Sequence, residues 1–329
     1  MFFPKKFIKI KTIVSIFTIV FLYASFTVSS QELLKNNSSE ISPNNQCFIN
    51  FKSLQKAFTN TPADYTLISG DNNGVNPFTL SHRNKDNHSY SIWKTLNGEI
   101  LGYFLRDNGG FDFNQDRKAV SPLSWHPTLI FDRLFNKNTI LNNYSCMIAG
   151  RTRLSGRKVS MLRLAPQEDL RYSFVVARDE DTALPVELMV INPSGILVFK
   201  VTVTAIDEPK FEDFSYNDEI FDRFELLKKS ETKNLSNPWS ILNIPQEFSF
   251  VDEGYVVMDN VQVPFQTFSD GLVDFRVYKN NPSSLFVPSA SNGTLTVLRR
   301  SDINHEYAIV GEVPIQLAEM VLKRIPASR

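Results

Sequence analysis

The side chains that could carry chemistry are few and widely spaced. The 329-residue chain has four histidines and two cysteines, none at a spacing typical of a metal site or a redox motif. His82 and His88 lie six residues apart in a polar stretch, where solvated side chains are the expected interpretation. The chain has no Gly-x-Ser-x-Gly elbow, no P-loop and no Gly-x-Gly-x-x-Gly sequence. The sequence therefore predicts no catalytic residue, no metal site and no cofactor, and indicates a protein that is not an enzyme.

The two cysteines, Cys47 and Cys146, leave two alternatives open. An exported compartment would permit a disulfide between them, and closing so long a loop would contribute about 4–5 kcal/mol in the chain-entropy model. Two buried free thiols are the other alternative, because the sequence contains no information on the distance between them.

The N-terminus is predicted to be a secretory signal peptide over residues 1–30. Four lysines precede a nearly apolar run from Thr12 to Phe26, small residues follow, and polar sequence begins at Gln31. A retained membrane anchor is the alternative, but the run is shorter than the roughly 20 residues that span a bilayer. No cysteine stands at the cleavage point to carry a lipid anchor.

Composition limits the class of partner. The 35 basic and 35 acidic residues balance, so nothing in the sequence suggests nucleic-acid binding or adhesion to an anionic membrane. Hydrophobic residues make up 42% of the chain, and the 27 phenylalanines are typical of a β core or of a site for an apolar ligand. Five arginines in one β-prone region predict either an anion-facing patch or ordinary exposed strand residues: Arg151, Arg153, Arg157, Arg163 and Arg171.

The elements that must position these residues are mainly β-strands. After a polar leader at 31–45, apolar residues at a spacing of three to four predict an amphipathic helix over 46–60, which ends before Pro62. Short β-prone runs then alternate with Gly- and Asn-containing turns. Four runs between 158 and 206, joined by short connections, predict an antiparallel sheet and exclude a doubly wound α/β fold.

A second unit follows a predicted linker. Residues 46–212 are expected to form the first β domain, 213–238 the linker, and 239–329 a smaller domain of short strands. Pro314 stands in the first turn of a predicted final helix, where its missing N–H is harmless. The fold class is therefore mainly β, with an α+β arrangement.

Six segments are similar, in order, to motifs of the RseB/MucB family of periplasmic sigma-E regulators. The segments are 153–157, 164–172, 179–185, 194–197, 269–272 and 310–314, with the sequences RLSGR, LAPQEDLRY, DEDTALP, SGIL, SDGL and VGEVP. One departure is Ala183, which stands where the family often has glycine.

The resemblance implies a fold, a compartment and a function. It implies an unclosed antiparallel β-barrel with covering helices, like the lipoprotein carriers LolA and LolB, and a smaller antiparallel β domain with a terminal helix. In the periplasm, the second domain and the linker would bind the periplasmic part of the anti-sigma factor RseA and shield it from proteolysis. A lipid signal in the barrel, lipopolysaccharide or a mislocalised lipoprotein, would release it. A lipid or lipoprotein carrier without a signalling partner is the alternative, and homo-oligomerisation is left open.

Two sets of candidate site residues follow. Partner contact is predicted for one set, which could equally form the core of the second domain: Trp239, Phe265, Phe268, Asp270 and Leu272. Strand register decides which face of the sheet the predicted lipid-pocket residues line: Tyr65, Leu67, Trp93, Tyr103, Phe104, Trp125, Leu162, Phe174 and Leu197.

Overall fold

The structure, a computed structural model, describes most of the chain after the predicted leader. The described residues are 43–71, 74–107, 109–114, 120–122, 127–136, 141, 143–210, 217, 219–222, 239, 241, 244–258, 260–281, 289–301 and 304–323. The predicted signal peptide, most of the leader and Trp125 lie outside them. All the described residues belong to one compact unit. Over the described ranges, no helix has the length and apolar character needed to cross a membrane.

Eleven antiparallel strands form the first sheet. They are β1 Ala63–Asp71, β2 Gly74–Lys85, β3 His88–Thr95, β4 Leu101–Arg106, β5 Gly109–Asn114, β6 Val120–Pro122, β7 Tyr144–Leu154, β8 Arg157–Pro166, β9 Ser173–Asp179, β10 Pro185–Ile191 and β11 Leu197–Asp207. Their order is β6-β5-β4-β3-β2-β1-β11-β10-β9-β8-β7, with β6 and β7 at the two ends, so the sheet is an unclosed barrel. The predicted meander of four strands corresponds to β8–β11.

Two helices cover one face of this sheet. α1 spans Pro43–Asn60 and α2 spans Pro127–Phe135. α1 begins three residues before the predicted helix, and α2 was not predicted. Each helix turns a stripe of buried apolar residues to the sheet, and in α1 they recur at three to four positions. They are Cys47, Phe51, Leu54 and Phe58 in α1, and Ile130, Phe131, Leu134 and Phe135 in α2. This helix-covered face is called the inner face below. Its buried side chains form one apolar cluster that continues into the second sheet.

The opposite face of the first sheet carries a smaller apolar cluster. Ile92, Phe104 and Phe111 pair across neighbouring strands and contact the buried Ile220 and Phe221. These last two belong to a helical turn at 219–222, within the predicted linker. That part of the linker therefore lies against the first sheet; its other residues, apart from 217, lie outside the described ranges.

The second sheet has six antiparallel strands and one helix. The strands are β12 Ser249–Met258, β13 Val261–Ser269, β14 Asp274–Asn280, β15 Ala290–Asn292, β16 Leu295–Ser301 and β17 Glu306–Gly311, followed by α3 Ile315–Lys323. Their order is β12-β13-β14-β17-β16-β15. The predicted final helix is present; it begins one residue after Pro314, which was predicted to lie in its first turn, and it buries Leu317, Ala318, Val321 and Leu322. The mainly β fold class, with an unclosed barrel and a smaller sheet, is confirmed.

The turn between β9 and β10 contains Ala183, the residue at which the sequence departs from the family motif. Ala183 has a φ of 64°, in the left-handed region that favours glycine. A side chain costs about 1–2 kcal/mol there. Asp179 Oδ1 compensates by accepting hydrogen bonds from the backbone N–H groups of Asp181 and Thr182, each at 2.9 Å.

Candidate functional site

The two cysteines are joined. Cys47 in α1 and Cys146 in β7 form a disulfide with their Cα atoms 5.6 Å apart, and both side chains are buried. The bond connects residues 99 positions apart in sequence. It attaches α1 covalently to the edge strand of the first sheet.

Six of the nine predicted pocket residues lie on the inner face. Register places Tyr65 opposite Leu80, Leu80 opposite Trp93, and Trp93 opposite Tyr103, so their side chains share one side of the sheet. Leu67, Leu162 and Phe174 belong to the same apolar cluster. All six are buried except the half-buried Tyr103, and α1 and α2 lie over this face.

The other three pocket candidates lie elsewhere. Phe104 is the neighbour of Tyr103 in β4 and therefore points to the opposite face, where it contacts Phe111 and Phe221. Leu197, at the start of β11, is 45% exposed. Trp125 lies outside the described residues.

A buried carboxylate attaches α2 to the inner face. The Ser91 hydroxyl donates a hydrogen bond to Asp132 Oδ1, and Trp93 Nε1 donates to Asp132 Oδ2 at 2.7 Å. His82 Nδ1 lies 3.1 Å from Ser91 Oγ, and its ring stacks on Phe58 of α1 with the centroids 3.9 Å apart. Four polar side chains thus form one connected network inside an apolar layer.

Burial dominates the electrostatics of this network. It raises the pKa of Asp132 to about 6, although the hydrogen bonds from Ser91 and Trp93 act to lower it. Burial, followed by the charge of Arg83, lowers the pKa of His82 to about 3, so this ring is neutral at pH 7. In a nucleophilic triad histidine lies between serine and the acid, whereas here serine lies between histidine and Asp132. The arrangement is that of a structural network.

Most of the predicted partner-contact residues are buried. Phe268 and Leu272 lie in the apolar cluster shared by the two sheets, and Phe265 packs against Tyr278 on the other side of β13. Trp239 is half-buried: Gln266 Nε2 donates to its carbonyl oxygen at 3.0 Å. Lys279 Nζ lies 5.8 Å from the centre of its indole ring.

Asp270 connects the turn between β13 and β14 to the first sheet. Its Oδ1 accepts hydrogen bonds from the backbone N–H groups of Leu272 and Val273, at 2.9 and 2.8 Å, which hold the turn in shape. Its Oδ2 forms an ion pair with Arg171 Nη1 at 3.0 Å, and both side chains are almost completely buried. One carboxylate therefore shapes its own turn and binds the other sheet.

Arg171 makes several further contacts at this junction. Its guanidinium also binds both carboxylate oxygens of Glu168 and the carbonyl oxygen of Asn143, and lies 4.6 Å from the centre of the Tyr144 ring. Arg151 and Arg157, two others of the five arginines, form ion pairs with Glu180 and Asp179. Arg171 thus connects the two sheets and does not contribute to an anion-facing patch.

Two further residues, Tyr172 and Arg133, contact the second sheet. The hydroxyl of Tyr172 donates to the Thr294 carbonyl oxygen at 2.9 Å. Arg133 of α2 reaches Asp274 Oδ2 at 3.3 Å and Glu312 Oε2 at 3.4 Å. Burial raises the pKa of Glu312 to about 8, against the effect of Arg133. Three of the sequence motifs, at 164–172, 269–272 and 310–314, therefore meet at one junction between the sheets.

Sequence reasoning did not select Ser91, Asp132 or Arg133. A signal for α2 exists in the sequence: Pro127 is followed by apolar residues at helical spacing, with Asp132 and Arg133 between Phe131 and Leu134. The contacts of Asp132 and Arg133 with the two sheets cannot be recognised from the neighbouring sequence, because their partners lie at least 39 residues away along the chain.

Two family models match the chain. The MucB/RseB N-terminal domain matches residues 50–224, and the MucB/RseB C-terminal domain matches residues 233–326. Together they include both sheets and all the junction residues described above.

Known proteins and solved structures are similar over most of the chain. The Sigma-E factor regulatory protein RseB of Haemophilus influenzae is 23% identical over 279 residues, which cover 83% of this chain and 88% of that protein. A crystal structure of MucB in complex with MucA(peri) has a TM-score of 0.62 at 20% identity, covering 86% of this chain and 99% of MucB. The MucA/MucB complex of Pseudomonas aeruginosa has the same TM-score and identity, covering 84% and 96%. These structures share the fold of this chain.

Proposed function

Because the chain belongs to the MucB/RseB family, we propose that it is a periplasmic regulator of a sigma-E-type envelope-stress response. It binds the periplasmic part of an RseA-like anti-sigma factor and protects that partner from proteolysis. An acyl lipid bound at the inner face of the first sheet releases the partner. The observation that carries this proposal is the match of both family models in order, supported by the fold shared with MucB in its complex with MucA(peri).

The second sheet and the segment before it are the proposed partner-binding part. Among the aromatic residues of the predicted contact set, Trp239 is the least buried: the residue is half-buried, whereas Phe265 and Phe268 are buried. Large aromatic side chains of this kind often dominate the energy of protein interfaces. Phe268 and Leu272 act indirectly, by holding the sheet and its turn in shape.

The inner face supports the lipid part of the proposal by its chemistry. It combines aromatic and aliphatic side chains from nearly every strand of a curved sheet with one polar network at Asp132, Ser91 and His82. Apolar concave surfaces with a few convergent polar groups are the usual form of small-ligand sites. In the described conformation α1 and α2 cover this face, so an acyl chain enters only if a helix moves.

Calorimetric titration of the whole mature chain with the periplasmic segment of an RseA-like protein tests the partner. We expect micromolar or tighter binding, and Trp239→Ala is expected to weaken it at least about tenfold without lowering the melting temperature. Ile49→Ala is the matched control, because Ile49 is an exposed apolar residue on α1, and it should leave the affinity unchanged. Folded protein that shows no association at micromolar concentration would contradict the proposal.

A lipid experiment separates the regulator from a simple carrier. Palmitoyl lysophosphatidylethanolamine added to the preformed complex is expected to lower partner occupancy. A carrier would instead bind this lipid, transfer it to acceptor vesicles and have no affinity for the anti-sigma segment.

A further inference from the structure

We infer that α2 is the mechanical connection between the inner face of the first sheet and the junction with the second sheet, through the adjacent residues Asp132 and Arg133. The inference rests on the proposed function for its purpose, because it explains how a lipid on one sheet could affect a partner on the other. The contacts themselves do not depend on that function.

Asp132 makes the contact with the first sheet. Its two carboxylate oxygens accept hydrogen bonds from Ser91 and Trp93 of β3, and all three side chains are buried. Phe131, the residue before it, packs edge-on against the Trp93 ring at a centroid distance of 5.6 Å. Displacing α2 would leave a hydroxyl, an indole N–H and a carboxylate without these partners, so the helix has one well-defined closed position.

Arg133 makes the contact with the second sheet. Successive residues of a helix point about 100° apart, so the neighbour of an inward-facing Asp132 is directed to the side of the helix. There its guanidinium reaches Asp274 at the start of β14 and Glu312 just after β17. The Glu312 backbone N–H donates to the Asp274 carbonyl oxygen at 3.0 Å, so Arg133 holds two residues that are also joined to each other.

The two contacts are therefore coupled by the rigidity of a short helix. α2 is only nine residues long, and a movement that withdraws Asp132 from Ser91 also withdraws Arg133 from Glu312. Loss of Arg133 leaves the carboxyl group of Glu312, with 1% of its side chain exposed, without its positive neighbour. A movement of α2 therefore affects the second sheet at two places: the start of β14 and the segment that leads into α3.

Amide hydrogen exchange on the whole chain tests this connection without any ligand. The reporter is the Glu312 amide, and the control is the strand pair β12–β13 of the same sheet. Asp132→Asn keeps the size of the side chain and removes its charge, and we expect it to speed exchange at Glu312 about tenfold while leaving β12–β13 unchanged. In a chain that already carries Arg133→Gln, the same Asp132→Asn change is expected to add nothing at Glu312.

Two controls keep the result specific. Arg151→Gln removes an exposed arginine that forms an ion pair with Glu180, and it should leave the Glu312 amide unchanged. Arg133→Lys should restore part of the protection that Arg133→Gln removes. The connection is refuted if Asp132→Asn leaves Glu312 unchanged, if it accelerates β12–β13 equally, or if its effect is the same with and without Arg133.

The same reporter distinguishes the connection from the proposed lipid function. With palmitoyl lysophosphatidylethanolamine as the probe, we expect protection of inner-face strands together with faster exchange at Glu312, and only the former in Arg133→Gln. A probe that protects the inner face of the unmodified chain but leaves Glu312 unchanged contradicts the connection. A probe that does not bind contradicts the lipid proposal, and the variant experiment above then decides the connection by itself.

Discussion

The two helices over the inner face are attached in different ways. α1 is joined to β7 by the disulfide between Cys47 and Cys146 and buries a full apolar stripe over its 18 residues. α2 has half that length, and its specific contacts with both sheets come from the ionisable Asp132 and Arg133. A covalent bond and apolar contacts do not respond to pH or to a competing polar group, whereas carboxylate contacts do. We therefore expect α1 to act as the fixed wall of the inner face and α2 as its movable part.

The largest expected effect comes from breaking the covalent attachment of α1. Replacing both cysteines by alanine releases a loop whose ends are 99 residues apart, and should lower the free energy of unfolding by about 4–5 kcal/mol. Urea unfolding under non-reducing conditions measures it. A loss below about 1 kcal/mol would mean that α1 is held by packing alone.

A smaller loss is expected from removing the polar attachment of α2. Asp132→Ala removes the acceptor of the Ser91 hydroxyl and leaves the Trp93 N–H buried without an acceptor, which should cost about 3 kcal/mol at pH 5. The loss of stability caused by Asp132→Ala should be smaller at pH 7 than at pH 5. Burial raises the pKa of Asp132 from 3.8 to about 6, so the folded chain keeps a proton there that the unfolded chain has already lost. This contribution to stability is lost as the pH rises through about 6.

Denaturant titrations of the unmodified protein and of Asp132→Ala, at pH 5 and pH 7, measure this loss. Glu319→Ala, on the exposed side of α3, is the matched control and should change stability by less than about 0.5 kcal/mol. A difference that grows towards pH 7 would contradict the burial argument.

The contact of α2 with the second sheet should make stability depend on pH in a higher window. Glu312 faces Arg133, Asp274 and Tyr172, and burial raises its pKa from 4.5 to about 8. Between these values the folded chain holds a proton that the unfolded chain has lost, so the free energy of unfolding falls as pH rises. We expect a loss of about 2 kcal/mol from pH 6 to pH 8, and Glu312→Gln should remove it. A slope that persists in Glu312→Gln would assign it to another group.

The smallest effect is expected where α1 makes a polar contact of its own. Arg178 Nε donates to Ser53 Oγ at 2.9 Å, but both residues are only half-buried. Ser53→Ala should therefore cost about 0.5 kcal/mol, because water can replace the lost acceptor. A cost close to that of Asp132→Ala in thermal or urea unfolding would remove the contrast between the two helices.

Prediction from sequence was strongest where the signal is local. The four β-prone runs between 158 and 206, the three-to-four spacing of α1 and the proline beside α3 all correspond to observed elements. The second domain was predicted to consist of short strands, but β12 runs over ten residues, because Asp252 to Tyr255 continue its pairing with β13. α2 was missed because nine residues are too few for a clear periodic signal beside many β-prone runs.

The sequence by itself determined the family, the mainly β class and the order of the elements, because motifs and periodicity depend on neighbouring residues. Only the tertiary structure decided that Tyr103 and Phe104 face opposite sides, that Cys47 meets Cys146, and that Arg171 meets Asp270. Strand register and contacts between distant parts of the chain bring these side chains together. Their types favour an interaction, but the sequence contains no information on the distance between them. The role of Asp132 and Arg133 is the clearest case, since one step along a helix directs two opposite charges to two different sheets.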